Sequence, residues 1–152
     1  MLLSIRGAVP EDLGVIAENN IATAWETERR WLDSEGARKG VKAVLEDPGK
    51  GFYLLAERDG RPIGQCMVTL EWSDWRNGAF WWIQSVYVVP EERGKGVFTA
   101  LFRELEARAK ATEGVVGLRL YVERSNARAQ EAYSRLGLDG SRYIVFEEDY
   151  TL

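Results

Sequence analysis

Arg93-Gly94-Lys95-Gly96 stands between a β-forming run, "WWIQSVYVV", and an apolar series at helical spacing, Phe98, Leu101, Phe102, Leu105 and Ala109. A strand that enters a helix through two glycines presents unpaired backbone N–H groups at the positive end of the helix dipole. Glycine lets that backbone come close to a ligand, and Arg93 and Lys95 add charge, so the turn suits a phosphate or pyrophosphate. A tight turn with solvated cations is the alternative reading of the same residues. The spacing is neither that of a P-loop, G-x-x-x-x-G-K-[ST], nor that of a dinucleotide fingerprint with three glycines at the first strand–helix turn.

Composition narrows the chemistry that can accompany such a turn. The chain of 152 residues has no histidine and a single cysteine, Cys66. Ser-His and Cys-His nucleophile pairs are therefore excluded, as are an intrachain disulfide and a cysteine metal cluster, and no metal is expected. Carboxylates, tyrosine, lysine, backbone groups or water must do the work. A net charge of −4 and a pI near 5.1 argue against nucleic acid as a partner, since phosphate-backbone binding needs an extended basic face. No apolar run approaches the roughly 20 residues of a membrane span, and the chain opens without a signal-like segment, so no membrane partner and a cytoplasmic location are expected.

The elements that must position these groups follow from periodicity. Residues 2–6 read as a strand, and Pro10 precedes Leu13, Ile16, Ala17, Ile21 and Ala24 at helical spacing. Ser34 is the expected cap of a second helix carrying Ala37, Val41, Val44 and Leu45. "FYLLAERDGRPIGQCMVTLEW" predicts a hairpin, with strands at 52–58 and 62–72 around Asp59-Gly60. A strand at 79–89 follows, then a helix to about residue 112, a strand in "VVGLRLYVE", a helix in "SNARAQEAYSRLG" and a final strand in "SRYIVFEEDY". A helix separates the strands at 79–89 and 115–122, so they must be parallel. The order is βααβββαβαβ, with no repeat or linker, and the reading is one domain over residues 1–152.

"VYVVPEERGKGVFTALF" resembles the acetyl-CoA-binding motif of the GNAT superfamily of N-acetyltransferases, a strand ending in V-x-P followed by [RQ]-x-x-G-x-[GA] opening a helix. Arg93, Gly96 and Phe98 fall on its three specified positions, Phe98 where the family usually has Gly or Ala. "NARAQEAYSRLGL" resembles the second motif, N-x-x-A-x-x-x-Y-x-x-x-G-[FLM], at Asn126, Ala129, Tyr133, Gly137 and Leu138. The resemblance covers nearly the whole chain. It implies an α/β (α+β) fold with a mixed, mostly antiparallel sheet of 6–7 strands, helices on both faces, and a splay at the central parallel pair. It further implies acetyl-CoA as cosubstrate in that splay. Pantetheine would meet the backbone of Val86 and Val88. Arg93 and the N–H groups of Gly94, Lys95, Gly96, Val97, Phe98 and Thr99 would hold the pyrophosphate, with Asn126 helping to hold the cofactor or order the cleft.

Tyr133 is the candidate acid for the leaving thiolate. Ordinary pKa values of about 10 for a tyrosine and 8.5 for a thiol make that proton transfer uphill by approximately 2 kcal/mol in water, which desolvation of the thiolate can offset. Packing on a helix face is the alternative for Tyr133, as helix capping is for Asn126. An alkylammonium of pKa about 10.4 is neutral to only about one part in 10³ at pH 7, so a base helps. Polyamine-acetylating members carry Glu-Asp where this chain has Gln84-Ser85, which leaves Glu71 as the candidate base, then Glu26 and Glu28; each also reads as a solvated carboxylate. Trp25, Trp75 and Gln84 are expected on the acceptor side, the tryptophans holding an apolar or cationic group by stacking. The expected activity is acetyl transfer from acetyl-CoA to a primary amine of a small molecule or peptide, by direct attack in a ternary complex, in a monomer or a homodimer. A non-catalytic acyl-CoA-binding module and an unrelated phosphate-binding domain are the alternatives.

Overall fold

The computed structural model describes residues 2–151, which form two compact units, the first ending at Tyr121 and the second beginning at Val122. In the first unit, five strands lie in the order β1-β2-β3-β4-β5. They are β1 (Leu3–Gly7), β2 (Phe52–Arg58), β3 (Arg61–Ser73), β4 (Gly78–Val88) and β5 (Val115–Leu120). The first four pair antiparallel, and β5 is parallel to β4. Helices α1 (Leu13–Glu28) and α2 (Ser34–Glu46) precede the hairpin, and α3 (Val97–Ala111) makes the crossover from β4 to β5. Asp33, not Ser34, caps α2, its carboxylate accepting the Gly36 N–H at 2.8 Å.

Side chains of a strand alternate between faces, and this alternation sorts the core. Tyr53, Leu55 and Met67 pack with Ile16, Ala17 and Val41 of α1 and α2. On the other face α3 lies so close to β3 that a Cβ on Gly64 would stand 2.8 Å from Val97 Cγ1. Leu101 and Leu105 of α3 are fully buried there. The start of α3 is thereby pressed onto the sheet beside the end of β4, which is what the glycine turn requires of its scaffold.

The second unit holds α4 (Ala127–Arg135), capped by Asn126, whose Oδ1 accepts the Ala129 N–H at 3.1 Å. Gly137 follows with φ of 99°, the left-handed stop that the sequence predicts.

The strand count differs from expectation. Five strands occur among the described residues where 6–7 were expected, and residues 141–150 form none. Alternating apolar residues favour β structure, but a strand exists only through its pairing. Here a local side-chain bond takes a backbone donor instead, Tyr143 N–H donating to Ser141 Oγ at 3.1 Å. In consequence β5 is an edge strand, and the parallel pair lies at the rim of the sheet rather than at its centre.

Candidate functional site

The site is built on β4. Gln65 of β3 faces Tyr87 and Met67 faces Gln84, so Ser85 and Val86 together oppose Cys66, a β-bulge in β4. Ser85 takes the left-handed conformation, φ 50°. Pairing of β4 with β5 ends at Ile83–Leu120. From residue 84 to 88, therefore, β4 is bonded to β3 on one side and has left β5 on the other. This is the expected splay, and the bulge lies just inside it.

Beyond β4 the chain makes a short 3-10 turn, Pro90–Glu92, then the glycine loop. Gly94 and Gly96 have φ of 75° and 81°, a region that favours glycine. A Cβ on either would meet no protein atom within 4 Å, so open space lies over both. The N–H groups of Val97, Phe98 and Thr99 precede the first helical bond, Ala100 N–H to Gly96 O at 3.0 Å. Gly96 is the N-cap of α3 and brings no capping side chain. A helix start entered through two open glycines, with no capping side chain from Gly96, fits an anionic group. Phe98 is half-buried against Phe102, ring centroids 6.3 Å apart, on the helix flank rather than over the loop.

Arg93 is committed to the scaffold. Its Nε donates to Val88 O at 2.8 Å, its Nη2 meets Glu26 Oε2 at 2.9 Å, and its guanidinium lies 5.3 Å over the Tyr87 ring. The end of α1 is thus fastened to the end of β4. Lys95 is exposed on the loop. In the second unit, Tyr133 is half-buried, and burial pushes its phenol above the usual tyrosine range, so it carries its proton throughout the neutral range. Burial likewise pushes the Cys66 thiol up to about 12, which removes it as a nucleophile.

On the α1–α2 face of the sheet, Phe80, Trp82 and Gln84 of β4 run in line beside Glu71 and Thr69 of β3 and Arg119 of β5. Glu71 Oε1 accepts from Arg119 Nη1 at 2.5 Å, and the Arg119 guanidinium lies 3.6 Å over the Phe80 ring. Glu71 faces Phe80, five residues before the bulge, about 16 Å along an extended strand. Gln84 Nε2 donates to Thr69 Oγ1 at 2.6 Å, and Trp82 lies against Tyr121 at 4.9 Å. Trp25 stacks on Trp31 at 4.3 Å beneath Arg29, Glu28 is exposed at the end of α1, and Trp75 is 87% exposed at the hairpin tip. Trp81 packs edge-on to Phe52 inside the core.

Sequence reasoning missed Arg119, Tyr121 and the Arg93–Glu26 pair, all made by contacts between distant parts of the chain. It also passed over Gln65, for which a signal exists: a lone amide inside "PIGQCMVTL", an otherwise apolar strand.

A bulged strand, a splayed parallel partner and a glycine-opened helix make up an α/β scaffold of the acetyltransferase type. The acetyltransferase (GNAT) family model matches residues 16–138, and the chain belongs to that family. It is 30% identical over 135 residues to a mycothiol acetyltransferase of Mycolicibacterium gilvum, an alignment covering 85% of this chain and 42% of that protein. The chain thus spans less than half the length of that relative. A crystal structure described as "a possible acetyltransferase" from Clostridium difficile 630 is 44% identical, with a TM-score of 0.91 and 98% of each chain covered. A "predicted acetyltransferase with acetyl-CoA" from Clostridium acetobutylicum shares the fold, with a TM-score of 0.78 at 14% identity over 97% of this chain and 96% of that one.

Proposed function

We propose that residues 1–152 act as a single acetyltransferase domain that moves an acetyl group from acetyl-CoA to a primary amine of a small molecule or peptide. The observation that carries this reading is the juxtaposition, at one end of β4, of a strand edge that β5 has left and a helix entered through two glycines with open space over both. Those features fit the two halves of the cosubstrate: an extended amide-bearing arm along 84–88 and a pyrophosphate at 94–99. When bound, acetyl-CoA supplies an activated acyl thioester. Val86 and Val88 would orient its arm by backbone contacts, and the loop N–H groups with Lys95 would neutralise phosphate charge. Asn126 caps α4 and so orders the segment that carries Tyr133.

Tyr133, protonated at neutral pH, would donate its phenolic proton to the departing sulfur. Direct attack by the amine is favoured over an acyl-enzyme, because Cys66 is buried with its thiol pushed up to about 12 and histidine is absent. Glu71 is held by Arg119 and Glu26 by Arg93, so the ammonium proton is assigned to solvent water first, with Glu71, which faces Phe80 five residues before the bulge, able to receive it only through a chain of waters. Phe80, Trp82, Gln84 and Trp25, with Trp75 at the rim, are proposed to receive the acceptor.

The test is an amine panel assayed with acetyl-CoA by release of free thiol. Transfer to at least one amine supports the enzyme. Tight acetyl-CoA binding without transfer to any supports the alternative, an acyl-CoA-binding module, favoured by the neutral Gln84-Ser85 pair and the paired carboxylates. With an active amine in hand, Glu71→Gln should lower turnover less than tenfold, most strongly at low pH, if water is the first acceptor. A drop of 10² or more would make Glu71 the direct base.

A further inference from the structure

Gln65 has none of its surface exposed, and its amide is fully used. Oε1 accepts from Asn19 Nδ2 at 2.9 Å, while Nε2 donates to Asn20 Oδ1 at 3.0 Å and to the backbone oxygen of Ser85 at 3.1 Å. One buried side chain of β3 therefore ties two residues of α1 to the single non-glycine residue of β4 that stands at positive φ, Ser85 at 50°. An isolated left-handed serine is held there only by its surroundings. We infer that Gln65 is a positioning residue for acetyl transfer: by holding the Ser85 carbonyl it fixes the direction of the Val86 N–H.

The Ser85–Val86 peptide is planar and trans, so its C=O and N–H point in opposite directions. The carbonyl points toward Gln65, on the β3 and α1 side. The Val86 N–H must then point away from β3, toward the side that β5 has left. A donor directed into that splay would face the thioester carbonyl at the end of the arm proposed to lie along 84–88, and a donor aimed at growing negative charge is worth most when it cannot reorient. Burial shields the Gln65–Ser85 bond from water competition. This inference rests on the acetyl-transfer reading above.

Gln65→Met keeps the length and burial of the side chain and removes the donor. Turnover should fall on the order of tenfold or more, while acetyl-CoA affinity stays within about twofold, the pattern of an interaction used in the transition state. In the ligand-free protein, the Ser85 and Val86 amide resonances should move. Asn19→Ala breaks the other end of the Gln65 amide but spares its donation to Ser85. It should lower the melting temperature yet leave turnover and the Val86 resonance near wild type. Adding Ser85→Gly to Gln65→Met should restore part of the turnover, because glycine takes φ near 50° without the steric cost that serine meets there. If Gln65→Met does not fold, Gln65→Glu keeps an acceptor for Asn19 and donates only while protonated, which burial favours, so its turnover should stay near wild type at neutral pH and fall as rising pH ionises the carboxyl. An unmoved Val86 resonance with wild-type turnover, or an equal loss from Asn19→Ala, would reduce Gln65 to a core-packing role. Absence of transfer by the wild type would overturn the proposed function, while the resonance comparison would still decide whether Gln65 holds the bulge.

Discussion

At the scale of single residues, the glycine loop and Tyr133 carry separable expectations. Gly96 stands at φ 81° with no protein atom near its missing Cβ, so an aspartate there meets both backbone strain and the anion the loop is proposed to hold. Gly96→Asp should weaken acetyl-CoA binding tenfold or more, about 1.4 kcal/mol, measured by calorimetry on a variant shown to be folded. Unchanged affinity would take this loop out of the cofactor site. Tyr133→Phe keeps the ring and deletes only the hydroxyl. Turnover should drop on the order of 10²-fold with little change in acetyl-CoA affinity, since the proton is needed only as thiolate charge develops. Equal turnover would leave Tyr133 with a packing role.

Among the elements, β1 and the entry to α1 are joined by a charged clasp. Arg6 donates to Asp12 Oδ2 at 2.8 Å and to Oδ1 at 2.9 Å, and its Nε donates to Glu57 of β2 at 3.0 Å. Asp12 also accepts the Val9 N–H at 2.7 Å, closing the 3-10 turn Pro10–Asp12 that feeds α1. The hydrogen-bonded Arg6 guanidinium, aided by the Val9 N–H, holds the Asp12 carboxyl below its usual range despite partial desolvation. Because the folded pKa is the lower one, this clasp stabilises the fold fully above the unfolded value of about 3.9 and loses its effect as pH falls through the folded value. Asp12→Asn should therefore melt roughly 4 °C below wild type at neutral pH, and the gap should close in acid below about pH 4. A gap independent of pH would show that the clasp acts through shape rather than charge.

For the whole molecule, with a net charge of −4, the anionic cofactor proposed above would have to be held by local donors rather than overall attraction. Binding to the folded state alone stabilises it by mass action. Acetyl-CoA at about 100 times its dissociation constant should add ~2.7 kcal/mol and raise the melting temperature by roughly 6–10 °C. ATP at the same concentration, lacking the pantetheine arm, should shift it far less. Equal shifts would mean that a general phosphate site, and not the strand edge of 84–88, provides recognition.

Much of this protein was legible in the sequence because its signals are local. Period-3.6 and period-2 patterns marked α3 and the β2–β3 hairpin to within a residue or two, and the Asp59-Gly60 turn and Gly137 stop follow from the backbone freedom of those residues. Gly94 and Gly96 announced a helix start because only such residues take that turn readily. What depends on partners was not legible. Residues 141–150 have the alternation of a strand, but pairing is a tertiary event, and none occurs there. The bulge at Ser85 arises from register against β3, which "IQSVYVV" does not encode by itself. Glu71 and Glu26 read as free carboxylates until strand order and the path of α1 brought Arg119 and Arg93 onto them. Gln65 shows the division most plainly. Its sequence position says that a buried amide must be satisfied, and only the packing of α1 over β3 and β4 decides that what it satisfies is the carbonyl at the bend of the site.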